Sequence, residues 1–351
     1  MYAAGRIKLR KLYRGVSIGQ QIMRLKRTKA KRRGFVVVVV LCMLICLAVL
    51  LLGFNYQSRT NLHTVDEFQK SAQALNCAKA GLNVAIAAIK DTDDTNTNKT
   101  LLNPVSEENT FDIGDGNCSI TITEESGKLN VNLLKDKSRR LNRTGIDQLL
   151  RLIDLLNQEH SDHSHIGYGL VPAIIDWTDS DDKVTYLPFI KNENSGAESG
   201  YYGRLETPYR CRNASLDTTE ELLLVKGITP QVFERMRDYI TVYGDGKINI
   251  NCAPKRVIES LSEKMDPVLA QMIIDRRKFK PFGSIAELRD VPGMTDSIYN
   301  SIRRSATVSP ADQYYHVRAQ GNVDNLNRTI TAILGKNMKT KNVEVISYKE
   351  L

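Results

Sequence analysis

The first pattern along the chain is unbroken apolarity. Phe35 to Phe54 reads FVVVVVLCMLICLAVLLLGF, twenty residues without a charge. At 1.5 Å rise per residue this run crosses a hydrocarbon layer about 30 Å thick, and it lacks the polar face of a surface helix. The period then changes. Phe68, Ala72, Leu75, Ala78, Leu82, Ala85 and Ile89 recur at steps of three or four, which predicts one apolar stripe on a helix continuing to about Lys90. The run Asp91-Thr-Asp-Asp-Thr-Asn-Thr-Asn98 is rich in turn and cap formers and reads as a solvated linker.

Period two follows. Cys118-Ser-Ile-Thr-Ile-Thr123 alternates behind the hairpin signal Asp115-Gly116, and Gly127-Lys-Leu-Asn-Val-Asn132 continues the strand pattern. Strands return in Tyr314–Gln320, Leu326–Leu334 and Val343–Ile346, with turns at Asn325 and at Gly335-Lys-Asn337. Between these blocks the spacing is helical. Ile146, Leu149, Leu150, Ile153 and Leu156 share one face, as do Val257, Ile258 and Leu261, and Val268, Met272 and Ile273. The reading is an α+β chain: a long helix on a small antiparallel sheet, with a helical domain inserted between early and late strands.

Charge changes the picture of the N-terminus. The formal net charge is +9, which alone suggests nucleic acid or a membrane surface. Twelve of the 49 Lys and Arg residues fall in residues 1–34, which hold no Asp or Glu; the rest of the chain carries 37 basic and 40 acidic residues. The excess is a leader that should stay cytoplasmic and orient the apolar run, placing the bulk across the membrane.

The junction Lys31-Arg-Arg-Gly34 followed by Phe35 resembles a type IV prepilin or pseudopilin signal. The resemblance implies cleavage after Gly34 by prepilin peptidase and methylation of the new amino terminus at Phe35. Two departures stand out. The leader is long for that family, and the fifth mature position is Val39 where most members carry Glu. A carboxylate in a bilayer is kept only where it has a partner, which in that family is the amino terminus of the preceding subunit. Its absence suggests a subunit with nothing ahead of it.

Behind this junction come, in order, Ala74-Leu-Asn-Cys-Ala-Lys-Ala-Gly81, Gly127–Asn132, Ile175-Asp-Trp-Thr-Asp-Ser-Asp-Asp182, Ala197-Glu-Ser-Gly-Tyr-Tyr202 and Thr241-Val-Tyr-Gly-Asp-Gly-Lys-Ile-Asn-Ile-Asn-Cys-Ala-Pro254. Together they resemble the type II secretion system protein K family, the large minor pseudopilins. The resemblance implies a pseudopilin fold divided into a leader (1–34), a transmembrane helix part (35–54), a periplasmic helix part (55–90), first strands (91–134), an inserted helical domain (135–305) and closing strands (306–351). It implies a non-enzymatic inner-membrane subunit that caps a pseudopilus tip with minor pseudopilins I and J. The major pseudopilin and the inner-membrane assembly platform are further implied partners. An insert of about 170 residues would clash with a subunit stacked above it, which agrees with a terminal position.

The acidic cluster Asp176, Asp179, Asp181 and Asp182, with Glu198 in another loop, can supply the oxygens calcium takes, though no EF-hand spacing is present. The residues alone favour a solvated acidic loop, the usual fate of such runs; the resemblance shifts the reading to calcium. Asn213 or a backbone carbonyl would complete the shell, and the ion would order residues 176–213. Exported Cys77, Cys118, Cys211 and Cys252 allow three pairings. Cys77 with Cys118 would join helix to sheet, and Cys211 with Cys252 would lie within the insert. Cys42 and Cys46 read as apolar fillers of the membrane helix.

Two segments, Leu222–Tyr239 and Ile285–Ile302, each read as helix, Gly hairpin, helix, with Gly227 and Gly293 in equivalent places and Thr229 and Thr295 as N-caps. They resemble helix-hairpin-helix units. This opens a second reading, a membrane-anchored nucleic-acid binder or DNA-uptake protein. Thr stands where such a hairpin's second Gly would admit a phosphate, and the exported part is net acidic, so a packing role and no nucleic-acid partner are expected. His160, His163 and His165 read as a polar loop. No nucleophile elbow, phosphate loop or Cys-x-x-Cys occurs, and neither an enzyme nor a small-molecule substrate is expected.

Overall fold

The computed structural model describes residues 5–91, 109–135, 140–159, 165–310 and 312–351. The linker from Thr92 to Asn98, with His160 and His163, lies outside the described residues. Helix α1 runs Gly5–Lys90, so helix also covers much of the basic leader. The chain divides into two compact units, residues 1–70 and 71–351. In the first, Phe35–Phe54 is exposed. This helix is long and apolar enough to cross a membrane.

In the second unit a five-stranded antiparallel sheet has the order β1-β2-β7-β8-β9. Strands β1 (Asn109–Ile113) and β2 (Gly116–Glu124) precede the insert. Strands β7 (Asp312–Val323), β8 (Leu326–Asn337) and β9 (Val343–Glu350) follow it. The β1–β2 turn holds Gly114 at φ +60°, and the β7–β8 turn holds Asp324 at φ +51°. The predicted turn at Gly335–Asn337 is instead the end of β8, and the chain reverses just beyond it.

Helix α1 packs on this sheet through small residues. Ala78, Leu82, Ala85 and Ile89 are buried against Cys118, Ile120, Val317 and Ala319, and Ala74 is buried with Cys77 and Val323. The stripe starts later than its periodicity suggested: Phe68 is 78% exposed and Ala72 is exposed, because burial of this face begins at Ala74. A Cβ on Gly321 would meet the Ala78 nitrogen at 2.6 Å, so the helix backbone rides directly on β7. The helix end is capped from the sheet. Buried Lys336 on β8 donates from Nζ to the Ile89 carbonyl at 2.7 Å, placing a cation where helix carbonyls gather negative potential.

The insert is a duplication. Its first half holds β3 (Leu129–Asn130), α2 (Arg143–Glu159), α3 (Leu170–Thr178), α4 (Ser199–Tyr202), α5 (Pro230–Met236) and β4 (Ile240–Thr241). Its second half holds β5 (Ile248–Asn249), α6 (Lys255–Ser260), α7 (Pro267–Phe279), α8 (Asp296–Ile302) and β6 (Ala306–Thr307). In each half the first strand pairs in parallel with the last. Each half also has its own core. Gly127–Asn132 therefore opens the insert and does not join the pseudopilin sheet, which corrects the expected boundary near residue 134.

Two short sequences carry the equivalence, Lys128-Leu-Asn-Val-Asn132 and Lys247-Ile-Asn-Ile-Asn251. The second Asn of each makes the same bridge. Asn132 accepts from the Leu216 N–H (2.8 Å) and donates to the Val242 carbonyl (3.0 Å). Asn251 accepts from the Phe282 N–H (2.8 Å) and donates to the Val308 carbonyl (3.2 Å). An amide side chain is needed because it donates and accepts at once. Asn251→Ala strands these part-buried backbone groups and should cost about 2–3 kcal/mol, read as a lowered urea midpoint at unchanged m. A shift no larger than that of exposed Asn325→Ala would contradict this.

The hairpin units each sit in one half. Gly227 (φ +84°) and Gly293 (φ +88°) make the turns, and Thr229 and Thr295 accept from the N–H of Val232 and Ile298. The leading helix of each is a short 3-10 segment. Val232 and Phe233 enter the first core, and Ile298 and Ile302 the second, so both units are structural struts. On α7 the expected face is one step out of phase. Leu269, Ala270 and Ile273 are buried, while Val268 is 63% and Met272 39% exposed.

Candidate functional site

Helix α3 is buried from Leu170 to Trp177, and this drives Asp176 into the first core of the insert. Asp176 Oδ1 accepts from the Thr185 N–H at 2.8 Å; its Oδ2 is buried without a partner. The helix ends at Thr178. Asp179 then turns its Oδ2 to Lys135, while its Oδ1 accepts from the Asp181 N–H at 3.2 Å. Glu198 stands extended before α4 and is 3% exposed. Neither Glu198 oxygen meets an N–H or O–H donor; its polar neighbour is the weakly donating Cys211 thiol. Asn213, at φ +51°, donates to the Asp181 carbonyl at 3.0 Å and leaves its own Oδ1 buried and unpartnered.

The structure thus brings together most of the expected ligand set. Asp179, Asp181 and Glu198 each offer an oxygen within 4.8 Å of the others. Asp176 approaches beside Gly196, where a Cβ would meet the Asp176 carboxylate and the Pro172 carbonyl (2.6 Å). Asp182 is exposed and stands outside the oxygen cluster, though its charge is felt by Glu198. Burial pushes the Glu198 carboxyl up to about 8, and the charges of Asp176, Asp179 and Asp182 add to this. Burial likewise raises Asp176 to about 6, with Thr185 and Lys135 opposing.

Around this cluster four buried oxygens lack donors (Asp176 Oδ2, both from Glu198, Asn213 Oδ1), and the neighbouring Trp177 Nε1 is a buried donor without an acceptor. Hard cations with oxygen shells suit such a set, and calcium fits it in ligand type. Lys135, not singled out in the sequence, is the local counter-charge. Trp177 packs edge-on to Tyr202 (5.0 Å) and Tyr209 (6.1 Å) beside this pocket, and it is the sole Trp in the chain.

The cysteines are free. Cys211 donates to the Asp176 carbonyl in the first core, whereas Cys252 lies beside Ser126 and Asn249 near the sheet. The expected Cys211–Cys252 bridge does not form, because the two thiols belong to different parts of the insert. Cys77 and Cys118 do share the helix–sheet interface, as thiols. His165 is exposed. Gly34 and Phe35 are exposed on α1.

A long apolar helix packed on an antiparallel sheet, with a duplicated helical insert between its strands, defines a pseudopilin-like α+β protein. Two family models described as type II secretion system (T2SS), protein K match residues 127–245 and 248–309. Together they cover more than half of the chain, and their boundaries follow the two halves of the insert. The chain belongs to the type II secretion system protein K family. It is 27% identical over 107 residues to type II secretion system protein K of Aeromonas hydrophila. That match covers 30% of this chain and spans 28% of the relative's length. A chain from the crystal structure of the GspK-GspI-GspJ complex of the enterotoxigenic Escherichia coli type 2 secretion system shares the fold, with TM-score 0.60 at 15% identity, over 83% of this chain and 99% of that one.

Proposed function

We propose that this chain is a minor pseudopilin that caps the tip of a type II secretion pseudopilus with minor pseudopilins I and J. Its role is structural, helping to start a periplasmic fibre for export of folded proteins across the outer membrane. The observation that carries this reading is the family match across the insert, joined to an N-terminal helix able to anchor in the inner membrane. The solved relative was crystallised as a GspK-GspI-GspJ complex, which supports the choice of partners. Val39 and the bulk of the insert support the terminal position. The basic leader stays in the cytoplasm, prepilin peptidase cuts after Gly34, and Phe35 is methylated. The major pseudopilin and the assembly platform join later.

Co-purification of the chain with minor pseudopilins I and J tests the partners, and mass spectrometry of the matured chain tests the junction. Gold-labelled protein should mark one fibre end. Label at regular intervals along fibres would sink the tip assignment.

The acidic pocket takes calcium as a structural ion held by Asp176, Asp179, Asp181 and Glu198, with Asn213 in reach. The ion supplies the positive charge these oxygens lack. Lys135 competes with it for Asp179. Lys135→Met should therefore tighten calcium binding about tenfold, or about 1.4 kcal/mol, measured by calorimetry. Unchanged or weaker binding would show that Lys135 does not compete.

A further inference from the structure

On the sheet face turned away from α1, the strand register sets Thr121, Arg318, Thr331 and Lys349 side by side in one row. Arg318 and Lys349 are exposed, and on this face the next rows, Thr123–His316–Ile333–Ser347 and Ser119–Gln320–Thr329, hold no Asp or Glu; Glu350 of the adjoining row faces the α1 side, where it pairs with Lys79. The row lines a cleft of about 1250 Å³ between the sheet and the insert. Its opposite wall includes the C-terminal end of α7, where Lys278 and Phe279 stand. Phe279 is 92% exposed, the most uncovered large apolar side chain in the chain's described part. Of the acids on the lining, Glu125 is spent on Lys128 at 2.6 Å, and Glu124 is held by Asn249 at 3.0 Å. Glu220 and Asp238 also line the cleft, so its four acids face six cations, Lys128, Arg237, Arg277, Lys278, Arg318 and Lys349, and the lining keeps a net positive charge.

We propose that this cleft binds an acidic, extended segment of a partner protein. Strands lie about 4.8 Å apart, so Arg318 and Lys349, two strands apart, are separated by about 10 Å at their backbones. Alternate residues of an extended peptide lie about 7 Å apart on one side. Two flexible cationic heads converge over that distance, so carboxylates at alternate positions match them, with Thr121 and Thr331 as hydroxyl donors between. An apolar residue on the peptide's other side meets Phe279. Charge complementarity of this kind sets specificity and association rate.

The test uses the full chain in detergent micelles and a photo-crosslinking decapeptide with Asp at alternate positions and Leu between them. The basic leader also attracts acids, so crosslinks are mapped by mass spectrometry. Adducts on residues 312–351 and 275–281 are expected. Adducts confined to residues 1–34 overturn the proposal. Arg318→Glu with Lys349→Glu changes exposed groups, so the melting temperature and calcium binding should hold. Crosslinking at the cleft should fall at least tenfold, and a Lys-for-Asp peptide should gain what the acidic one loses. Equal labelling of the cleft by both peptides, or no effect of the double reversal, also overturns it.

Discussion

Calcium at a hundredfold excess over its dissociation constant is expected to raise the melting temperature of the chain by about 5–10 °C. Binding to the folded state alone at that excess is worth about 2.7 kcal/mol, and each kcal/mol moves a domain of this size by about 2–4 °C. Glu198→Gln should abolish the shift, because it removes the most central charged ligand while keeping the shape. The same substitution has a second signature without calcium. The Glu198 carboxyl titrates at about 8 in the folded chain, above its ordinary value, through burial first and then its acidic neighbours. A group raised on folding contributes stability that is fully present below its unfolded pKa and lost as pH rises through the folded one. The calcium-free wild type should therefore lose stability between about pH 4.5 and 8, and Glu198→Gln should flatten that slope. A purely structural Glu198 would instead make the Gln variant less stable at every pH. Trp177 fluorescence reads both effects beside the site. If chelator leaves melting unchanged, the calcium assignment fails.

Gly321→Val is expected to be the most damaging single change in the sheet, costing about 3 kcal/mol or more. The obstacle is backbone. A Cβ there would run into the Ala74 carbonyl and the Ala78 nitrogen of α1, and neither can rotate away. The helix must lift from β7, and buried Ala319, Cys118 and Val317 lose contacts together. Urea unfolding should show a lowered midpoint, and thiol labelling of Cys77 and Cys118, both buried in the wild type, should accelerate. Wild-type labelling rates in the Val variant would show that the interface tolerates a side chain.

Much of this was legible in the sequence because the relevant signals are local. The charge-free run, the alternating strands and the paired Gly hairpins each fix an element within a few turns of chain. The acidic cluster was legible too, since Asp176, Asp179 and Asp181 lie close in the chain to Glu198, although Asp182 stands outside it. What was missed depends on pairing at a distance. Gly127–Asn132 reads as a strand whatever it pairs with, and only the parallel partner at Ile240–Thr241 assigns it to the insert. The paired hairpins already marked a diverged internal repeat, but its full extent, written in Lys128–Asn132 and Lys247–Asn251, appears only once the two asparagines make the same bridge. On α7, Val268, Leu269, Met272 and Ile273 support two adjacent stripes, and packing chose the one sequence spacing did not. Lys135 carries no motif; its role comes from lying across from Asp179.

The seat of α1 on its sheet has a mechanical meaning. Tension applied along the Ser71–Lys90 stretch would load its contacts with β2, β7 and β8 in shear. Shear shares the load among many small contacts at once, whereas peeling breaks them singly. The far end is also fastened, since Lys336 grips the last turn at the Ile89 carbonyl and resists unwinding from that side. A subunit drawn by its N-terminal helix would thus yield late and all together, like a lap joint and unlike a zip.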